Sequence, residues 1–369
     1  MILHLVTDEK FTDYAIKQFS DFINSSEFIL VTYIDAQLKY VSLEQNVRVI
    51  RYGSEEYNNL CENLDKYKAI LSHGLFEKWQ QEIILKTPSN VKVAWMFWGG
   101  EVYGLPVCRD KFLSFSSKLL YWTKKLTYTL KGKSNIQSYS TIPIEVFKRI
   151  DYCLTDEYEE LDFANNLLCT NMKHLWYNYY SIEDTVGALA NKSVNGENIL
   201  IGNSSTFESN HLMALNKLRR FNLKNKKIIV PLSYGDSWLK ARLLKLGKFL
   251  FPKNFEALVS FMPREEYNMV MCSCAYVVMP HYRPQAFGNI LTALWLGAKV
   301  FISNQNVAYP FYKRLGVHFY TVETDLTLEE LELPLSQTII NKNREILMKE
   351  YSRDAMKPRI QNVVEELNR

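Results

Sequence analysis

Residues 275–303 constrain the fold most strongly, because they predict a strand, a polar turn, a helix and a second strand in one continuous segment. The apolar run from Tyr276 to Met279 is typical of a buried parallel strand, and two prolines in the next six residues force the chain out of it. The following helix ends at Gly297, after which an apolar run returns as the second strand. In such a unit the helix N-terminus lies at the carboxyl edge of the sheet and favours an anion. We therefore expect a phosphate-bearing ligand there, although an ordinary strand–helix unit with a polar turn explains the same residues. The candidate ligand-binding residues are Arg283, Gln285, Gly288 and Asn289.

The same alternation of short apolar runs with helical segments recurs along the whole chain, which is typical of a parallel sheet with helices on both faces. Because 369 residues exceed one ordinary hydrophobic core, we expect two doubly wound, Rossmann-like α/β domains and a closing helix that packs back across both. The predicted domains are residues 1–190 and 198–350, with a linker at 191–197 and the closing segment at 351–369. The predicted strands lie at 1–6, 28–33, 47–52, 69–71, 91–95, 151–155, 198–204, 227–230, 276–279 and 300–302.

Composition and charge exclude several classes of protein. With 47% hydrophobic and 23% charged residues, the chain is globular rather than disordered. A net charge of only +4 gives no support to a nucleic-acid partner. None of the six cysteines forms a CxxC pair, which argues against a zinc ribbon or a disulfide framework. We expect neither a signal peptide nor a membrane span, since the N-terminus lacks a basic leader and no run approaches about 18 apolar residues.

Two strand ends in the first half carry candidate catalytic residues, because ligands bind at the carboxyl edge of such sheets. His73 follows the fourth predicted strand and can bond a phosphate or a sugar hydroxyl; a core or helix-capping histidine is the alternative. Glu101 follows two glycines, which let the backbone turn sharply, and is flanked by Trp98 and Tyr103. A carboxylate among aromatic rings is partly desolvated, which raises its pKa and suits it to act as a general base. A loop glutamate paired with Arg109 is the alternative.

Residues 109–133 mix basic and bulky apolar side chains, and Asp110 is their only acidic residue. This composition favours a surface that lies on anionic lipid. A helix with one core-facing side and one solvated basic side is the alternative, and a nucleic-acid surface is weaker because no binding motif accompanies the patch. The residues expected to contact an acceptor or a membrane are Trp98, Tyr103, Lys118, Trp122, Lys124 and Lys125.

In the second half, two successive strands end in small polar loops that feed helices. Gly202 and Gly235 allow these loops to approach a ligand closely, and nearby hydroxyl and amide groups supply donors. The loops match neither a GxGxxG nor a P-loop motif, so the motif evidence for phosphate is weak. Glu266, in the first turn of a predicted helix, is a candidate for a ribose or sugar hydroxyl, with compensation of the helix dipole as the alternative. The further donor-binding candidates are Asn203, Ser204, Asn210, Ser233 and Tyr234.

Two Rossmann-like domains joined by a linker resemble the architecture of GT-B glycosyltransferases, whose C-terminal domain usually takes the nucleotide-sugar and whose N-terminal domain takes the acceptor. Many retaining members have two glutamates around a Phe-Gly pair of the second domain. Here Phe287-Gly288 is present, but those two positions are Gln285 and Ala293. The chain therefore does not match that large group.

A closer resemblance is to glycosyltransferase family 56, the TDP-N-acetylfucosamine (Fuc4NAc):lipid II transferases of enterobacterial common antigen synthesis. The shared motifs occur in the right order over most of the chain. They depart from the family at Gly100-Glu101, where the family has Ala-Asp, and in the Pro-Gln-Ala-Phe-Gly core, where only Gln and Gly are shared. Glu101 keeps the acidic character, so a base role is retained. The motifs are Ser-His-Gly at 72–74, Trp-Gly-Gly-Glu-Val-Tyr at 98–103, Ile-Leu-Ile-Gly-Asn-Ser at 199–204, Ser-Asn-His at 209–211, Val-Pro-Leu-Ser-Tyr-Gly at 230–235, Arg-Pro-Gln-Ala-Phe-Gly at 283–288 and Leu-Gly-Ala-Lys-Val at 296–300.

The resemblance implies transfer of a Fuc4NAc-like deoxy-amino sugar from a TDP-sugar to an undecaprenyl-diphosphate-linked oligosaccharide, by a peripheral protein on the cytoplasmic face of the inner membrane. No DxD metal motif occurs, so we expect a metal-independent reaction without a cofactor. Helix N-termini, Arg283 and the loop at 202–204 would stabilise the leaving diphosphate. Glu101 would deprotonate the acceptor hydroxyl, with His73 as the second candidate. A non-catalytic nucleotide-sugar-binding protein and a nucleotide-sugar epimerase of the same fold are the other hypotheses.

Overall fold

The computed structural model describes residues 1–34, 38–42, 47–108, 110–132 and 142–369, so Arg109, the predicted alternative partner of Glu101, lies outside the described residues. The strands are β1 (Ile2–Val6), β2 (Ser26–Thr32), β3 (Val47–Arg51), β4 (Ala69–His73), β5 (Lys92–Met96), β6 (Tyr152–Thr155), β7 (Lys173–Trp176), β8 (Asn198–Ile201), β9 (Ile228–Pro231), β10 (Phe255–Leu258), β11 (Cys274–Met279), β12 (Lys299–Ile302) and β13 (Tyr320–Thr321). The α-helices are α1 (Thr12–Gln18), α2 (Glu55–Glu62), α3 (Lys78–Lys86), α4 (Gly100–Tyr103), α5 (Phe115–Leu130), α6 (Ile144–Arg149), α7 (Tyr158–Leu168), α8 (Ile182–Val186), α9 (His211–Leu218), α10 (Ser237–Leu250), α11 (Arg264–Cys272), α12 (Phe287–Leu296), α13 (Tyr309–Leu315), α14 (Gln337–Tyr351) and α15 (Arg353–Asn368). Short 3-10 helices lie at Ser20–Ser25, Leu64–Lys66, Pro106–Cys108, Gly187–Leu189 and Phe207–Ser209.

The described residues pack into two compact units. The first comprises the described parts of Met1–Leu105, Tyr139–Ser181 and Arg353–Arg369, and the second those of Pro106–Ser138 and Ile182–Ser352. This division differs from the expected boundaries in three segments, one of which is 182–190, where α8 packs on α12 of the second unit. The segment with α5 packs with the second unit, because Leu113 and Tyr121 join the second unit's core. Helix α15 packs with the first unit, because Met356 and Val363 join its core.

The first unit is built on a seven-stranded parallel sheet in the order β3-β2-β1-β4-β5-β6-β7. Alternate residues of each strand face opposite layers, as the period of two requires. Ile2 belongs to the core that α15 covers, whereas Leu3 belongs to the core that α2 and α3 cover. Helices therefore pack on both faces of this sheet, as the alternating pattern predicted.

The second unit is built on a six-stranded parallel sheet in the order β10-β9-β8-β11-β12-β13. The central strand β11 is wholly buried, and α12 follows it as predicted. Gly297 ends α12 with a φ of +88°, and a Cβ there would lie 2.6 Å from the Ile340 side chain, so only glycine fits. Both units confirm the predicted α/β class, and strands β7, β10 and β13 are additional to those predicted.

Candidate functional site

A cavity of about 350 Å³ opens at the carboxyl edge of the first unit's sheet. Strands β1 and β4 are neighbours, with Leu5 opposite Ser72, so the loops that follow them meet at this edge. Two carboxylates, a histidine, an amide and three aromatic rings lie in the lining, a mixture that suits a polar ligand with an apolar face. The lining residues are Thr7, Glu9, Phe11, His73, Phe76, Glu77, Gln80 and Trp98.

A chain of hydrogen bonds holds His73 in the wall of this cavity. Trp98 Nε1 donates to the Tyr179 hydroxyl at 2.9 Å, and that hydroxyl lies 3.0 Å from His73 Nδ1. His73 Nε2 lies 3.2 Å from Nδ1 of His4, whose Nε2 lies 3.3 Å from the Ser26 hydroxyl. Both ring nitrogens of His73 are therefore within hydrogen-bond distance of a polar partner inside the first unit.

Burial lowers the pKa of His73 to about 3. The imidazole is therefore neutral near pH 7, and both of its nitrogens are engaged in hydrogen bonds. A group with such a low pKa binds a proton only weakly at neutral pH, so it is a poor general base. His73 lies where the sequence predicted, but these surroundings oppose a role as a base.

Glu101 lies in the first turn of α4 and is fully buried. Trp95 Nε1 lies 3.4 Å from its Oε1, and Oε2 has no hydrogen-bond partner among the described residues. Burial raises the pKa of the carboxyl to about 7, against the opposing effect of backbone N–H groups that include those of Leu75 and Trp98. The side chain does not line the cavity, and the base role of Glu101 stays a prediction.

The two aromatic residues around Glu101 lie in different surroundings. Trp98 lines the cavity, with its ring centroid 5.5 Å from that of Phe11 and 5.9 Å from that of Phe76. Tyr103 is buried and stacks on Phe163 at 5.4 Å. The prediction that Tyr103 contacts an acceptor or a membrane is therefore wrong, because its ring is enclosed within the first unit.

In the second unit, the loops after β8 and β9 lie side by side at the carboxyl edge. Ser205 and Gly235 form a parallel bridge, and Asn203 Nδ2 donates to the Tyr234 hydroxyl at 3.0 Å. The Tyr234 ring is 58% exposed, so it presents an apolar face to solvent above these loops. Ser233, in the same loop, is half-buried. The structure thus brings the predicted β8 and β9 loop residues together.

The segment after β11 joins the same group of loops. Gln285 Nε2 donates to Asn203 Oδ1 at 2.9 Å and to Ser209 Oγ at 3.2 Å, while its buried Oε1 has no partner among the described residues. A Cβ added at Gly288 would meet nothing within 4 Å, so the first turn of α12 has open space beside it. Free N–H groups at such a turn are suited to an anion.

Three other predicted donor-binding residues have different roles. Asn289 Nδ2 donates to the Tyr267 hydroxyl at 3.0 Å and so joins α12 to α11, on which Glu266 is exposed. Asn210 is wholly buried. Its Oδ1 accepts from Ser114 N at 2.8 Å, and its Nδ2 donates to carbonyl oxygens of Phe112 and Pro280, each at 3.1 Å. The prediction of a ligand contact for Asn210 is wrong, because burial and these bonds leave its amide no access to a ligand.

Two buried histidines beside these loops were not among the predicted site residues, although His211 belongs to the Ser-Asn-His motif at 209–211. His211 Nε2 and both ring nitrogens of His281 have no partner among the described residues. Burial lowers the pKa of His211 to about 4; for His281, burial and then the charges of Arg283 and His211 lower the pKa well below its ordinary value. A Cβ at Gly202 would lie 2.8 Å from His211 Nε2, so this ring braces the β8 loop. Their positions in the sequence could have identified them, because His211 begins a helix and His281 closely follows a strand.

Helix α5 carries the predicted basic and aromatic surface. Five large apolar side chains recur every three or four residues and are 54–85% exposed, which places them on one face of the helix. Lys118 and Lys125 flank this face and line a shallow surface cavity of about 440 Å³. We call the apolar face the α5 stripe. Its residues are Phe115, Leu119, Trp122, Leu126 and Leu130.

Lys124 lies on the opposite side of α5. Its side chain is 3% exposed and forms an ion pair with Asp236, the N-cap residue of α10. The ammonium group also lies 5.6 Å from the centroid of the Phe207 ring. The prediction that Lys124 belongs to the membrane-facing surface is wrong, because this side chain fixes α5 to the second unit.

Within the described ranges, no group of three or more His, Cys, Asp or Glu side chains is arranged to hold a metal ion. In the same part of the chain, every helix is too short or too polar to cross a membrane.

A family model described as 4-alpha-L-fucosyltransferase, glycosyl transferase group 56, matches residues 153–348, which is more than half of the chain. The chain belongs to glycosyltransferase family 56. It is therefore a glycosyltransferase, as the sequence motifs predicted. The segment matched to family 56 contains the loops after β8, β9 and β11, whereas Glu9, His73 and Glu101 precede it.

Solved structures give this family 56 chain the GT-B fold. Alr3699/HepE of Anabaena, in complex with UDP and glucose, has a TM-score of 0.62 and 13% identity, with 99% of each chain covered. A glycosyltransferase of Rickettsia africae has a TM-score of 0.63 and 13% identity, covering 99% of this chain and 98% of that one. An alpha-glucosyltransferase in complex with UDP has a TM-score of 0.56 and 8% identity, covering 99% of this chain and all of that one. At these identities the likeness shows the fold alone.

Proposed function

We propose that this family 56 glycosyltransferase moves a Fuc4NAc-like deoxy-amino sugar from a TDP-sugar to an undecaprenyl-diphosphate-linked oligosaccharide. The observation that carries the proposal is the family match, whose description names a fucosyltransferase and whose matched segment includes the grouped loops of the second unit. Two proteins of the same fold contain UDP, one of them with glucose, which supports a nucleotide-sugar as the donor.

The grouped loops suit the diphosphate of such a donor. Arg283 supplies a guanidinium group that suits phosphate oxygens, and the open first turn of α12 at Gly288 supplies backbone N–H groups. Charge develops on the diphosphate as the bond to the sugar breaks, so donors fixed beforehand stabilise the transition state. Gln285, whose Nε2 donates to Asn203 Oδ1 and Ser209 Oγ, holds these loops together.

The test is an assay of the purified protein with TDP- and UDP-sugars and a lipid-linked acceptor, following the released nucleotide, the glycolipid mass and the identity of the donor sugar. We expect release of TDP in step with glycolipid formation. Binding of donor without turnover would indicate a binding protein, and conversion of the donor sugar without acceptor would indicate an epimerase. Either of these results would overturn the proposed reaction.

We also propose that the enzyme works as a peripheral protein on the cytoplasmic face of the inner membrane, with the α5 stripe on the lipid. Exposed apolar residues on one helix face bury their side chains at a lipid interface, and flanking lysines attract anionic headgroups. Lys118 and Lys125 supply that charge beside the stripe, and Lys125 Nζ lies 4.9 Å from the centroid of the Trp122 ring.

Vesicle sedimentation tests this surface. We expect the protein to bind vesicles of phosphatidylethanolamine and phosphatidylglycerol more tightly than vesicles of phosphatidylcholine. Trp122→Asp should weaken vesicle binding by about tenfold or more. Burying a large apolar side chain contributes about 1.5–3 kcal/mol, and about 1.4 kcal/mol corresponds to a tenfold change in affinity. Phe249→Asp is the matched control, because Phe249 is 80% exposed on α10, outside the stripe. Equal binding by wild type and Trp122→Asp would exclude the α5 stripe as the contact.

A further inference from the structure

We propose that the cavity of the first unit binds the acceptor sugar and that Glu9 is the general base of the transfer. This inference rests on the proposed function and assigns its acceptor site. The cavity lies at the carboxyl edge of the sheet, where the loops after β1 and β4 meet, and Glu9 is part of its lining.

The loop after β1 holds Glu9 in a fixed position. Its backbone N–H donates to the Thr7 carbonyl at 2.8 Å, and its own carbonyl accepts from Thr12 N at 3.0 Å. The side chain is partly exposed, and the nearby charge of Lys39 interacts with its carboxylate. A carboxylate placed on a fixed backbone, with its lone pairs available, can accept a proton from a bound hydroxyl.

The other ionisable groups near the cavity are already occupied or enclosed. His73 uses both ring nitrogens in hydrogen bonds. The Glu77 side chain takes part in a capping box at the start of α3, where it faces the backbone N–H of Gln80. Glu101 is fully buried and does not line the cavity. Glu9 is therefore the lining group best able to take a proton.

The rest of the lining suits a sugar ring. Phe11, Trp98 and Phe76 form a row of three rings, with successive centroids 5.5 and 5.9 Å apart. Aromatic faces pack against the C–H face of a sugar, and polar groups around them fix its hydroxyls. A volume of about 350 Å³ accommodates a single sugar residue.

The step balances without a co-reactant. The acceptor hydroxyl oxygen forms a bond to the anomeric carbon of the donor sugar, while the bond from that carbon to the diphosphate oxygen breaks. The diphosphate leaves with the bonding electron pair, and the hydroxyl proton passes to a carboxylate oxygen of Glu9.

The experiment compares Glu9→Gln with Glu101→Gln in the transfer assay. Glutamine keeps the size of the side chain and removes the proton acceptor. We expect Glu9→Gln to lower kcat by about 100-fold or more. The affinity for nucleotide, measured by calorimetry, should not change. Formate should partly restore the rate of Glu9→Ala, because a small carboxylate can occupy the vacated position. Glu62→Gln is the control, because Glu62 is exposed at the end of α2, and it should keep the wild-type rate.

The results separate this inference from the proposed function. If the wild-type protein transfers sugar and Glu9→Gln keeps more than half of its rate, the assignment of Glu9 fails and the proposed function stands. If Glu101→Gln loses the activity and Glu9→Gln keeps it, Glu101 is the base. If the wild-type protein transfers no sugar from any TDP- or UDP-sugar, the proposed function itself fails.

Discussion

The Glu101→Gln variant tests whether the buried carboxyl makes the stability of the protein depend on pH. Burial raises the pKa of Glu101 from 4.5 to about 7, so the folded protein keeps this proton at a pH where the unfolded chain has released it. The stability that this difference contributes is complete below the unfolded-state pKa and is lost as the pH rises through the folded-state pKa. Each tenfold change in proton affinity is worth about 1.4 kcal/mol, so ionising Glu101 in the folded state costs about 3 kcal/mol in total.

Glutamine has the shape of the protonated carboxyl and is uncharged at every pH. Its Oε1 can still accept the hydrogen bond from Trp95 Nε1, so the variant should keep the local fold. Between pH 5 and pH 8 wild type should lose about 2–3 kcal/mol that the variant does not lose. The melting temperature of Glu101→Gln minus that of wild type should therefore rise by about 3–4 °C over this interval, because the unfolding entropy is about 2.1 cal/mol/K per residue for the 369 residues.

Calorimetry at pH 5 and pH 8, in buffers of equal ionic strength, measures this difference directly. Glu62→Gln is the matched control, because Glu62 is exposed at the end of α2, and its difference from wild type should stay constant. A Glu101→Gln difference that is equal at the two pH values would refute the reasoning. It would mean that the folded protein tolerates the ionised carboxylate, and Glu101 would then regain its standing as a candidate base.

Two further predictions concern the second unit. Gly202→Ala should destabilise the fold by about 1–2 kcal/mol, because Gly202 has a left-handed backbone with a φ of +65°. The variant should also bind UDP or TDP more weakly, because the new Cβ would lie 2.8 Å from His211 Nε2 and displace the loop. Calorimetry measures both effects, and an unchanged nucleotide affinity would show that this loop is not part of the donor site. Lys124→Met should cost about 3 kcal/mol in urea unfolding, because it leaves the Asp236 carboxylate without its partner, whereas the surface variant Lys125→Met should change stability by less than about 0.5 kcal/mol; equal losses in the two would refute the structural role of Lys124.

The strands that sequence analysis found and missed differ in burial. The central strand β11 is buried at all six positions, and such an apolar run is visible in the sequence. Strands β7, β10 and β13 were missed, and all three are edge strands. Their residues are only partly covered, so their sequences carry no continuous apolar run. The edge strand β3 was found because its residues roughly alternate.

Helix α5 shows why the basic and aromatic composition of residues 109–133 could not predict which of its side chains face solvent. Tyr121 and Lys124 point toward the second unit, while Leu119, Trp122 and Leu126 form part of the exposed stripe. Both faces carry large apolar residues, so periodicity alone cannot choose between them. The choice depends on Asp236, a residue 112 positions away along the chain, which pairs with Lys124.

The move of the candidate base from Glu101 to Glu9 follows from strand order. In the sequence Glu9 follows the first strand, and the residues after β4 are more than sixty positions away. In the sheet, β1 lies between β2 and β4, so the loop with Glu9 borders the loop with His73 and Glu77. Periodicity predicts that strands exist and where they end, but not which strands are neighbours. The Glu9 carboxylate can therefore be placed beside the β4 loop only when the sheet order is known. The loops after β8 and β9 could be paired from the sequence, because these two strands are consecutive in the chain and adjacent in the sheet.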